Sequence, residues 1–150
     1  MKVKPNIHSS NSPERLKKIA EQTRDIALKY AGGNSEIEVT VTTGEGLSVV
    51  VREQNCESVE FAQDNLAVVT IYLDGRKGSA TTTDFSKLSV TESIKAAYSF
   101  AKNGGSDEFQ CLAEKRHYPG DPESLNLEID CPWNINTNEA VSLGAVCESE

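Results

Sequence analysis

At 150 residues the chain has the length of one ordinary domain, and its net charge of −8, from 23 acidic and 15 basic side chains, repels polyanions and excludes nucleic acid as the main partner. No apolar run reaches the roughly 20 residues of a membrane helix, and the opening segment MKVKPNIHSSNSPE lacks a signal-peptide core. A cytoplasmic protein without a membrane partner is therefore expected, and its four scattered cysteines (Cys56, Cys111, Cys131, Cys147) read as isolated reduced thiols.

Ser12-Pro13-Glu14 opens a helix, with a hydroxyl cap, proline at the first helical position and an acid near the positive end of the dipole. Leu16, Ile19, Ala20, Thr23, Ile26, Ala27 and Tyr30 fall on its apolar stripe, and Gly32-Gly33 ends it. From Glu36 the period changes from that of a helix to that of a strand. Ile37, Val39 and Val41 alternate with polar residues, and Gly44-Glu45-Gly46 predicts a turn before Leu47, Val49 and Val51. Gln54-Asn55 predicts a corner into CESVEFA, with Val59 and Phe61 pointing inward. Gln63-Asp64-Asn65 predicts another, into the apolar LAVVTIYL. Asp74-Gly75 is a hairpin signal, and a fifth strand follows from Gly78 to Thr83.

Ser89-Val90-Thr91-Glu92 has the pattern of a capping box, and Val90, Ile94, Ala97, Tyr98 and Ala101 form the stripe of a second helix that Asn103-Gly104-Gly105 stops. A meander of about five antiparallel strands, preceded and followed by a helix, predicts an α+β fold built as a two-layer sandwich. Residues 1–105 form this domain, and residues 106–135 read as a linker-like segment with one short alternating piece, Leu125 to Ile129. Asn136-Thr137-Asn138-Glu139 then opens a helix over 136–150, expected to belong to a region that continues past Glu150.

Catalytic patterns are missing from the local sequence. Neither His8 nor His117 has a second histidine at zinc-ligand spacing, and nothing nearby activates Cys111 or Cys131 toward His117; an enzyme built on Cys111 and His117 ranks last among the readings. Gly75-Arg76-Lys77-Gly78-Ser79 has the wrong spacing for a phosphate-binding loop and lies between strands. The strand after it is more informative. Ser79, Thr81 and Thr83 share one face and have little to bury, so an edge position would leave backbone groups free to receive an extended peptide. Arg76, Lys77, Ser79, Thr81 and Thr83 are the candidate substrate or partner contacts.

Four blocks in order, GLSVVVREQNCESVEF, DGRKGSATTTD, FQCLAE and DCPWNINTNEA, resemble the N-terminal region of the PmbA family, also called TldE. The family usually has an Asn-Gly-type corner where this sequence has Gln54-Asn55, and its members continue well beyond this length. The resemblance implies the N-terminal domain of a subunit that pairs, as a heterodimer, with a TldD-like zinc metalloprotease degrading unfolded peptides in the cytoplasm. Zinc is expected in the partner, held by a His-Glu-x-x-x-His motif, with no cofactor, metal ligand or catalytic residue in this chain, which would be inactive alone. The implied role is assembly and peptide positioning. The alternative is a free-standing module that captures peptides by strand addition, with no protease involved.

Overall fold

A computed structural model describes residues 12–118, 120–121, 123–127, 131 and 133–149. The order of elements is α1 (Pro13–Ala31), β1 (Ser35–Arg52), β2 (Asn55–Leu73), β3 (Arg76–Thr82), α2 (Lys87–Asn103) and α3 (Thr137–Ser149). The chain divides into two compact units, one of residues 12–43 and 64–113 and one of residues 44–63 and 114–149.

The fold class is α+β, as the sequence predicts, but among the described residues the sheet has three strands in the order β1-β2-β3, not five. Both predicted corners, Gly44-Glu45-Gly46 and Gln63-Asp64-Asn65, lie within the long strands β1 and β2. They sit at similar distances along the two arms from the true corner, so each extended segment keeps a ladder partner on the other arm. These residues mark where both strands pass from one compact unit to the other. The corner itself is Glu53-Gln54, one residue before the predicted Gln54-Asn55, with φ of 51° and 62°.

In the first unit α1 begins as expected: the Ser12 side chain accepts from the Arg15 amide, Pro13 opens the helix, and Gly32 closes it at φ 89° with its N–H on the Leu28 carbonyl. Helices and sheet share one core, made of Ala27 from α1, Ile37, Val69 and Ile71 from the sheet, and Val90, Ile94, Ala97 and Ala101 from α2. Burial on one strand face and one helical stripe is what the two periods dictate.

The start of α2 departs from the predicted capping box. Ser86, not Ser89, is the cap, accepting from the Ser89 amide. Asp84 draws the start one turn earlier, because its carboxylate accepts from the Ser86 amide and from the hydroxyls of Ser86 and Ser89. With Ser89 so engaged, Glu92 pairs with Lys95 (2.8 Å) in place of a backbone amide.

In the second unit α3 opens with the reciprocal cap that the sequence predicts: Glu139 N–H donates to Asn136 Oδ1 (3.0 Å) and Asn136 N–H to Glu139 Oε2 (2.8 Å). Gly144 gives α3 its close approach to β1, since a Cβ there would lie 2.7 Å from Val51. Val59 and Phe61, predicted to point inward, are instead 36% and 66% exposed. The helix approaches this unit's β-ribbon at Val51, and no described element covers the other two. The short alternating piece from Leu125 to Ile129 falls partly outside the described residues, and its first residue, Leu125, ends a 3₁₀ turn over Glu123–Leu125.

Candidate functional site

Strand β3 places most of the candidate contact residues. It pairs with β2 from Leu73↔Arg76 to Ala67↔Thr82, and no described strand pairs on its other side. The connecting turn has Asp74 at φ 50° and Gly75 at φ 70°, a two-residue hairpin of the kind that matches strand twist. Pairs bracketing such a turn are hydrogen-bonded and those beyond alternate, so the register turns the N–H and C=O groups of Lys77, Ser79 and Thr81 away from β2.

Side chains follow the same alternation. Lys77, Ser79 and Thr81 are exposed together on the sheet face away from the helices, while Gly78 is buried and Ala80 half-buried beneath α2. Thr83 is exposed just past the strand end. Arg76 falls on the helix-side set with Gly78 and Ala80, apart from Lys77, and its buried Nε has no hydrogen-bond partner among the described residues. The structure thus brings Lys77, Ser79 and Thr81 into one row and leaves Arg76 on the opposite face.

Neighbours in β1 and β2 complete that row. Thr70 Oγ1 and Ser79 Oγ lie 2.9 Å apart across the β2–β3 pair. Tyr72 donates its hydroxyl to Glu38 (3.1 Å), and Lys77 Nζ sits 5.5 Å from the centre of the Tyr72 ring. Burial raises the Tyr72 phenol above its ordinary range, helped by the hydrogen bond to Glu38 and the charge there. Thr70 and Tyr72 were hidden in the sequence within the apolar run LAVVTIYL. Their two-residue spacing is the signal that places both on the polar face.

Among the described residues, the other candidate groups do not gather in one place. All four cysteines are exposed free thiols. Cys111 belongs to the first unit and His117 to the second, while His8 lies outside the described residues. Among the described residues no three His, Cys, Asp or Glu side chains gather as metal ligands. An open cleft of about 430 Å³ in the first unit is lined by Ser35, Glu36, Tyr72, Asp74, Gln110 and Cys111 among others. Its polar groups are largely engaged: Glu36 accepts from the Leu112 amide (3.0 Å), Ser35 donates to the Gly32 carbonyl (2.6 Å), and Tyr72 is bound to Glu38.

A two-layer α+β domain with helices on one sheet face and a polar row on the other defines a scaffold that presents a strand. The chain is an N-terminal domain of the PmbA/TldE type, with residues 37–102 matching PmbA/TldA metallopeptidase domain 1. It is 34% identical over 136 residues to metalloprotease PmbA of Escherichia coli O157:H7, covering 90% of this chain and 30% of that protein. A metalloprotease PmbA homolog of Haemophilus influenzae is 32% identical, with 90% of this chain and 29% of the relative covered. The chain thus spans under a third of the length of these relatives. Two solved structures share the fold. A candidate modulator of DNA gyrase from Bacteroides thetaiotaomicron has a TM-score of 0.62 at 24% identity, covering 73% of this chain and 24% of its own. TldE from Thermococcus kodakarensis has a TM-score of 0.51 at 19% identity, covering 71% and 24%.

Proposed function

We propose that this chain is the N-terminal domain of a PmbA/TldE-like subunit of a cytoplasmic zinc metalloprotease complex acting on unfolded peptides. In this reading it contributes assembly and peptide positioning, and metal chemistry belongs to a TldD-like partner. One observation carries the reading: in a metallopeptidase-family domain, no described strand pairs with the outer side of β3, which exposes Lys77, Ser79 and Thr81. A strand of small hydroxyl side chains holds a polypeptide by its main chain with little demand on sequence, which suits substrates that share only an unfolded state. Among the described residues no helix is long and apolar enough to cross a membrane.

The test is isolation of the native protein from its own cells under mild conditions, with identification of its companions by mass spectrometry. The expected companion is a stoichiometric protein carrying His-Glu-x-x-x-His, with chelator-sensitive hydrolysis of unfolded peptides that requires both chains. A native species that carries no such companion and binds peptides by itself would replace this reading with the free-standing module.

A further inference from the structure

We propose that the outer edge of β3, flanked by α2, takes an extended polypeptide segment as an added antiparallel strand, bonded to the main chain of Lys77, Ser79 and Thr81. This deepens the peptide-positioning part of the reading above and rests on it. Those three residues turn their N–H and C=O groups to the open side, an array that a fourth strand satisfies in register. Common edge defences are sparse here: Arg76–Thr82 holds no proline, and Lys77 is its one charged residue on the exposed face.

The flank of α2 supplies a wall. Ser93 Oγ lies 3.5 Å from the Thr81 carbonyl, and Gly104 lies against the Lys77 carbonyl, with 3.6 Å to where a Cβ would stand. Phe100 follows Ser93 by two helical turns and precedes Gly104 by one, so it stands on the same flank, and it is 58% exposed. The Ser93 contact with Thr81 is long, and the same hydroxyl has a better acceptor in the Ser89 carbonyl at 3.0 Å, so an incoming N–H displaces little. Alternate side chains of the added strand then meet Phe100 on one side and the small hydroxyls of Ser79 and Thr81 on the other. Charge sets the direction. For a short peptide with free termini, antiparallel addition lays the positive N-terminal end near the exposed Asp84 and the negative C-terminal end near Lys77.

The probe is a heptapeptide of alternating threonine and valine with free termini, titrated into the chain and followed by calorimetry and by amide NMR signals. Saturable binding is expected, with the Lys77, Ser79 and Thr81 amides shifting first. The same peptide N-methylated at alternate residues should bind at least tenfold more weakly. Ser79→Pro should have a similar effect, because it removes an outward N–H while sparing the ladder to β2. Absence of binding, equal binding of the methylated peptide, or shifts confined elsewhere would overturn the proposal. So would sedimentation showing that β3 instead pairs two copies of the chain and that Ser79→Pro makes it monomeric. A chain that ignores the probe yet recovers its metalloprotease companion refutes only the strand addition; retained probe binding without that companion refutes only the subunit reading.

Discussion

Glu148 holds Gln54 by its backbone: the Gln54 amide donates to one carboxylate oxygen at 2.7 Å, and the neighbouring Glu53 amide donates to the other at 2.8 Å. Both corner residues have positive φ without being glycine, a conformation that costs on the order of 1–3 kcal/mol each. Charge-assisted bonds from two adjacent amides offset part of that cost. Glu148→Ala should therefore destabilise the second unit by about 1–2 kcal/mol and speed hydrogen exchange at Glu53 and Gln54. Unchanged exchange at those amides would show that the corner holds its own shape. Gln54→Gly should recover part of the loss, since glycine relieves the backbone strain.

Gly78 is where α2 comes down on the sheet. A Cβ added there would overlap the Ala97 carbonyl and the Ala101 amide, and it would stand 2.9 Å from the Phe100 carbonyl carbon. These are backbone atoms of a helix and cannot turn aside. Gly78→Ala should cost about 3 kcal/mol, and denaturant melts should show a lower midpoint or loss of cooperativity. Ser79→Ala, one residue away on the solvent side, should shift the midpoint far less.

Tyr72 predicts an alkaline signature. Its folded phenol titrates above the ordinary value because of burial first and Glu38 second. The folded state thus holds this proton more tightly than the unfolded chain does. The associated stability is fully present below about pH 10 and is lost as pH rises through the folded value. An ultraviolet phenolate titration should show a late step that Tyr72→Phe abolishes and Glu38→Gln moves to lower pH. A late step that survives in Tyr72→Phe would assign it elsewhere.

Asp84 predicts an acidic one. The hydroxyls of Ser89 and Ser86 and the Ser86 amide hold its carboxyl below the usual range. Its contribution is present at neutral pH and is lost as pH falls below about 4, through the depressed folded value. Amide exchange in the first turn of α2 should accelerate over that interval. In Asp84→Asn the acid-dependent change should vanish, leaving exchange fast throughout.

Local chemistry made much of this fold legible. Ser12-Pro13 and Asn136 with Glu139 name their helix starts because a cap is completed within four residues. Asp74-Gly75 names its turn because the required positive φ is a property of those residues themselves. What was not legible depends on distant partners. Glu53-Gln54 has no glycine to announce a turn, and its clamp lies 94 positions away from Gln54. The glycines at 44 and 46 carry a turn signal that the opposite arm overrides, and Phe61 alternates like a core residue although no described element covers it. At the candidate site, alternation correctly aligned Ser79 and Thr81. Assigning Arg76 to the opposite face requires knowing that the strand begins two residues before Gly78, where the sequence pattern places its start.

The notch at Gly78 has a thermodynamic meaning beyond packing. With helix backbone seated directly behind it, β3 is ordered when the chain folds and not when something lands on it. A segment added there would lose its own freedom without also having to freeze the template, so even a short and chemically plain strand would meet a surface already shaped for it.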